Sequence, residues 1–304
     1  MAITFFPAGG LGNQLFQYGV GLANSQRLGV PLKADLRYLS RNTKRKFELD
    51  SFPNSIEVSQ EEKRSPLRLP EFGLHRKDSR VPIIREKDHL FDPDLLNVED
   101  GSQLLGYFQS WKYLLSVEAT VRAQLDQPLM KSEWFKRTQF LLRGLTDWTA
   151  LHFRADDYRD IKEIGVLASD YYKRSLRLIK THSDDLGRVV IFCQHESDGI
   201  WLARELSLQR PLVLSEQPDS RPLEVLLLMS EAPNLVLANS SLSWWSGWLR
   251  PERIGLTVAP CPWFKSYAFN SRDLIYPTWI QVSEETPQQF GRKTSHDSDG
   301  FLRL

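Results

Sequence analysis

Residues 188–215 read RVVIFCQHESDGIWLARELSLQRPLVLS. An apolar run ending at Cys193 has the length and β-branched content of a buried strand. DGIWLARELSL (198–208) has helical spacing, and PLVLS (211–215) is strand-like again. A strand, a helix and a strand in succession build a parallel sheet covered by helices. The alternation continues in both directions. Upstream stand DWTALHFR (147–154) as a strand and DYYKRSLRLIKTH (170–182) as a helix. Downstream follow RPLEVLLLMSEA (221–232, helix), NLVLAN (234–239, strand), SSLSWWSGWLR (240–250, helix) and RIGLTVAP (253–260, strand).

The N-terminal part repeats the pattern once. ITFFPA (3–8) reads as a strand, GGLG breaks it, NQLFQYGVGLANSQRLG (13–29) reads as a helix with Gly29 at its C-cap, and VPLKAD (30–35) as the next strand. Residues 36–100 carry charged, proline-punctuated stretches without clear periodicity. SQLLGYFQSWKYLLS (102–116) reads as a strand turning into an aromatic-rich helix, and 116–143 as helical. The expected break falls near 145. It gives an N-terminal α/β domain over 1–145, a second over 146–285 and a polar tail over 286–304.

The chain has 304 residues, 39 Lys+Arg against 38 Asp+Glu, and a net charge of +1, so no overall field favours nucleic acid or an anionic membrane. Any anion site must be local. The start of the chain reads as a first strand and not a signal peptide, and no apolar run reaches the length of a membrane span. The two cysteines form no C-x-x-C, and the six histidines show no metal-ligand spacing. These features lead us to expect a cytoplasmic protein without a bound metal. The D-x-D matches, Asp92-Pro-Asp94 and Asp297-Ser-Asp299, read as solvated turns.

Three stretches carry chemistry. Gly9, Gly10 and Gly12 precede a helix N-terminus, where bare N–H groups can take a phosphate near Asn13. The same stretch also reads as a tight β–α turn with no ligand. The dinucleotide fingerprint fails at Leu15, although Asp35 stands where a ribose-binding acid would. In TALHFRADDY, His152 and Arg154 share a face near a strand's carboxyl end, where α/β ligands bind. Arg154 can fork onto a phosphate, or pair with Asp156 or Asp157 to close a loop. In ANSSLSWW, Asn239, Ser240 and Ser241 end a strand and open a helix, with hydroxyls suited to capping or to a phosphate or ribose. Trp248 reads as core; Trp244 and Trp245 read as core or as sugar-stacking surface.

In this order, GGLGNQLFQYGVGLA, LLGYFQSWKY, HFRADDY, ASDYYKRSL, ANSSLSWWSGWL, VAPCPWF and YPTWIQV resemble the motifs of the bacterial α-1,2-fucosyltransferases, glycosyltransferase family 11. The resemblance runs from residue 9 to about 280, with gaps in 36–100. It implies a GT-B-like α/β architecture, two Rossmann-like halves facing a central cleft. It further implies a galactoside 2-α-L-fucosyltransferase-like activity: inverting transfer of L-fucose from GDP-β-L-fucose to a glycan acceptor, with no metal and no cofactor. A lipid-linked acceptor would hold such a protein at a membrane surface.

Carried over by position, Arg154 would hold the β-phosphate of GDP, and His152 would support that arginine or the nucleotide. Asn13 would reach the sugar–phosphate bond, and Gly10, Gly12 and Gln14 would line the donor beside it. Asn239, Ser240, Ser241, Leu242 and Glu224 would line the nucleotide site. Asp157 would orient Arg154 or accept the acceptor's proton; an acid paired with arginine is a weak base, which favours orientation.

The chain departs from the family pattern at four places. Ala155 and Asp156 stand for the second Arg and the Gly of H-x-R-R-G-D, and Gln194-His195 stand for two acids. Val225 replaces the acid before the Leu-Met of the LLLMS helix, with Glu224 adjacent, and Leu242 replaces a Phe. These departures bear on donor and acceptor choice. They leave open a same-fold nucleotide-sugar-binding protein with an altered donor or little activity. A dinucleotide oxidoreductase, resting on Asp35, is the remote alternative.

Overall fold

The computed structural model describes residues 1–39, 45–50, 52, 56–59, 83–126, 131–183, 185–251, 255–266 and 269–283. The tail over 286–304, with Asp297 and Asp299, lies outside them, as does much of 36–100.

Two all-parallel sheets organise the chain. The first holds β1 (Ile3–Phe5), β2 (Leu32–Asp35), β3 (Glu57–Ser59), β4 (Ile83–Arg85) and β5 (Gln103–Leu105) in the order β3-β2-β1-β5-β4. The second holds β6 (Trp148–Phe153), β7 (Arg188–Cys193), β8 (Leu212–Ser215), β9 (Asn234–Val236), β10 (Thr257–Cys261) and β11 (Ile280–Ser283) in the order β11-β10-β9-β6-β7-β8. In each sheet the strand order reverses beside the first strand, between β1 and β5 and between β6 and β9. Such reversal points open a crevice at the carboxyl edge, where α/β ligands bind.

Helix α1 (Leu11–Leu28) follows β1, and Gly29 in the left-handed region closes it. It is buried on nearly all sides from Leu11 to Ser25. The reason is α7 (Ser241–Leu249), the helix after β9, which covers its other face. Phe16 sits 4.5 Å from Trp244 and 5.1 Å from Trp245, ring centre to ring centre. Trp245 donates its indole N–H to the Gly12 carbonyl at 2.8 Å. All three tryptophans of α7 are buried, so Trp244 and Trp245 are core and not sugar platforms.

One apolar core therefore runs through both halves, joined at α1 and α7. A second lies on the opposite face of the second sheet, under α4 (Ser169–Ser183) and α5 (Glu196–Glu205). Strand β6 is buried throughout because both its faces are covered. Trp148 and Ala150 face the joint core, and Leu151 and Phe153 the other.

The region 102–143 differs from its sequence reading. After β5 comes only a 3₁₀ turn, Trp111–Leu114, with Ser110 capping it. Residues 116–143 form two helices, α2 (Glu118–Leu125) and α3 (Glu133–Arg143), and Ser132 caps the second through a bond from Phe135 N. Helix α3 packs on α6 (Pro222–Ser230), so it belongs by contact to the second half although it precedes residue 145. Strands β3, β4 and β11 carry no clear period in the sequence. The two parallel-sheet halves are the GT-B-like architecture that the resemblance implied.

Candidate active site

The site lies where the carboxyl edges of both sheets meet. Arg154 directly follows β6, and the Asn239–Ser241 turn leaves β9, so the two flank the reversal point of the second sheet. Asn13 lies in the first turn of α1, after β1, and Gln109 lies beyond β5. They flank the reversal point of the first sheet, and Gln109 donates its side-chain amide to Asn13 Oδ1 at 2.8 Å.

The two halves touch at their helix starts. Gly9 takes φ +72 to make the turn, and α1 begins at Leu11. A Cβ on Gly12 would stand 2.4 Å from the Ser241 carbonyl carbon and 2.5 Å from Leu242 N. Only glycine lets the start of α1 lie against the start of α7. Neither helix has an acidic residue in its first turn or a side-chain cap on its backbone N–H groups. Two positive helix ends therefore point into one region without an anion of their own.

Arg154 is held, not loose. Its Nη2 and Nε donate to Asp157 Oδ1 at 2.7 and 3.1 Å, and its guanidinium lies over the Tyr158 ring at 5.3 Å. Tyr158 in turn stands near the Ser240 side chain. The aromatic residue thus neighbours both the arginine and the start of α7. Only 11% of the Arg154 side chain is exposed, so its charge acts in a partly dry environment. Of the two readings the sequence left open, the pairing with Asp157 is observed.

His152 lies beneath it, 4% exposed, with Nδ1 lacking a partner among the described residues. Burial, with the Arg154 cation beside it, pushes the imidazole down to about 3, so it is neutral at physiological pH. An ordinary histidine in the unfolded chain titrates near 6.5. Stability from this group is thus fully present above about 6.5 and is lost as the pH falls toward 3. The melting temperature of the wild type should drop more between about pH 6.5 and about pH 4 than that of His152→Gln, by several degrees. Equal drops would mean that His152 is not buried neutral.

The other sequence candidates divide. Ser240, Ser241 and Leu242 form the start of α7, inside the site. Gly10 borders it, next to Arg45. Gly12 serves the helix contact, and Gln14 is fully used as a strut. Its Nε2 donates to Gly9 O and Lys46 O at 3.0 and 2.8 Å, and its Oε1 accepts from Glu48 N at 2.9 Å. Asn239 donates to Ile164 O and Gly165 O, both at 3.0 Å, holding the 160s loop, while its Oδ1 has no partner among the described residues. Glu224 is engaged with Ser132, at 2.6 Å to N and 2.8 Å to Oγ, and with Arg221 N at 3.2 Å. The structure thus places Glu224 as the joint between α6 and α3. Asp35, the acid of the oxidoreductase reading, is 5% exposed and paired to Arg37.

Four residues outside the sequence candidates belong here. Tyr158 and Gln109 have the contacts given above. Arg45 reaches from the first half to Asp157 Oδ2 at 2.6 Å. Glu86 accepts from Tyr107 N at 2.7 Å and Phe108 N at 2.9 Å, and so shapes the turn that presents Gln109. Burial raises its carboxyl to about 7 against those two bonds. Tyr158 and Gln109 stand inside quoted motifs and could have been singled out there. Arg45 lies in the basic run TKRKFELD, which has no periodicity to read. The departures Asp156, Gln194 and His195 adjoin one another: Gln194 Nε2 donates to Asp156 Oδ2 at 3.1 Å, and His195 Nε2 lies 3.5 Å from Asp156 Oδ1.

No protein-family model matches the chain. It is 28% identical over 296 residues to an α-1,2-colitosyltransferase of Escherichia coli, covering 91% of this chain and 97% of that protein. It is also 28% identical over 309 residues to the O-antigen biosynthesis glycosyltransferase WbnK of Escherichia coli, covering 90% and 98%. Among solved structures, fucosyltransferase NodZ from Bradyrhizobium is similar with a TM-score of 0.46 at 13% identity, over 82% of this chain and 94% of that one. No helix among the described residues is long and apolar enough to cross a membrane. Over about nine-tenths of its length the chain is thus similar to two bacterial glycosyltransferases, in line with the order of its motifs.

Proposed function

We propose that the protein transfers L-fucose from GDP-β-L-fucose to a hydroxyl of a galactose-type glycan, forming an α-1,2 linkage with inversion and without a metal. The observation that carries this reading is Arg154 at the reversal point, beside two helix starts that have no acids. As the glycosyl bond breaks, the sugar acquires oxocarbenium character and the diphosphate gains negative charge. Fixed donors aimed at that charge act most strongly where water is excluded. Arg154 supplies two parallel N–H groups, and the starts of α1 and α7 supply oriented N–H dipoles. Asn13, held by Gln109, borders the bond that breaks. Ser240, Ser241 and Leu242 line the nucleotide. Asp157 is paired with two arginines and orients Arg154.

Thermal-shift measurements with GDP, GDP-fucose, GDP-mannose and NAD test the donor. GDP-fucose and GDP should stabilise, by about 2.7 kcal/mol at a hundredfold excess over Kd, and NAD should not. A shift with NAD alone would defeat the proposal. Activity should survive EDTA, and loss of activity restored by Mn²⁺ would refute the metal-free part.

A second reading changes the donor sugar. It is supported by the Asp156–Gln194–His195 cluster, where the family pattern is altered, and by the relative named a colitosyltransferase. Transfer assays with both activated sugars separate the two. The relative named for O-antigen biosynthesis supports a glycan of the O-antigen kind as acceptor.

A further inference from the structure

Arg45 crosses between the halves. It belongs to the first half, yet its Nη2 donates to Asp157 Oδ2 at 2.6 Å, while Arg154 holds the other oxygen at 2.7 Å. One carboxylate thus separates two permanent cations, and the trio carries an excess positive charge. Arg45 also lies over the start of α1: a Cβ on Gly10 would stand 3.6 Å from its Nη1. That is the positive end of the helix, where a cation is unfavourable and an anion favourable. Its backbone is fixed there by Gln14, which is fully buried and bonds Lys46 O and Glu48 N on the next turns of chain. About a third of the Arg45 side chain remains exposed, so the guanidinium is accessible from the crevice.

We propose that Arg45 is a second diphosphate-binding cation, contributed by the half opposite Arg154 and parked on Asp157 until the donor binds. The inference rests on the donor reading above. It gives the two halves a shared ligand: the diphosphate takes one guanidinium from each side. It also accounts for a cation held against the N-terminus of a helix that has no acid in its first turn. Asp157 keeps both guanidinium groups oriented toward one spot before the anion arrives, which reduces the ordering cost of binding.

Calorimetric titration of wild type, Arg45→Gln and Arg45→Lys with GDP, GMP and guanosine tests it. Arg45→Gln should weaken GDP about 10-fold or more, as expected for loss of a charged hydrogen bond. GMP should change by about twofold or less and guanosine not at all, and Arg45→Lys should recover part of the GDP affinity. A purely structural role would weaken all three ligands alike, and that result would overturn the inference. So would unchanged GDP binding in Arg45→Gln when the wild type binds GDP. Failure of the wild type to bind GDP would instead remove the donor reading, and this inference with it.

Discussion

Arg154→Lys is expected to lower kcat by about 10²-fold or more, equivalent to about 2.7 kcal/mol or more of transition-state stabilisation. The charge survives the substitution, but the planar fork does not. Arg154 uses Nε and Nη2 on Asp157 and its flat face on Tyr158. Those three contacts set the guanidinium in one orientation, with its remaining N–H groups available to the crevice. An ammonium is a point charge with a strongly held water shell and cannot reproduce the parallel donors. The loss should fall mainly on kcat, because the charge it meets is largest in the transition state. Steady-state kinetics with saturating acceptor measure it. Near-normal turnover would remove Arg154 from the chemistry.

Gly12→Ala is expected to destabilise the protein by about 3 kcal/mol, a melting temperature lower by roughly 6–12 °C. The sign is informative. In an ordinary helix, alanine is favoured over glycine by up to about 1 kcal/mol. Here the added methyl would stand 2.4 Å from the Ser241 carbonyl carbon and 2.7 Å from its oxygen, and both belong to backbone, which cannot rotate away. The start of α7 would have to move off α1, stretching the bond from Trp245 Nε1 to Gly12 O. Donor binding should weaken with it, since Ser240 to Leu242 move together. Thermal melting of the two proteins decides this. A variant as stable as the wild type would show that the helix starts do not rely on close contact.

Much of the fold is legible in the sequence because the central strands of the second sheet are buried on both faces. Runs such as VVIFC and LVLA are then apolar throughout, and helices with Gly or Ser at their ends separate them. The first sheet is harder. Strands β3 and β4 have three residues each, too short for a period, and they sit among charged loops. The candidate site is legible where motifs are local, as at HFRADDY and ANSS. It is not legible where residues distant in sequence meet. Nothing in the order of residues brings Arg45 to Asp157, or Gln109 to Asn13. The burial of α1 has the same cause: its polar residues Gln14, Gln17 and Asn24 are buried and hold distant loops by hydrogen bonds.

The central claim is that Arg154, fixed at the edge of the second sheet, receives the charge of the departing diphosphate. A crystal structure of the GDP complex tests it most directly. The expected result has the β-phosphate within about 3 Å of the Arg154 guanidinium and facing the start of α7. A β-phosphate bound elsewhere, with no contact to Arg154, would contradict it.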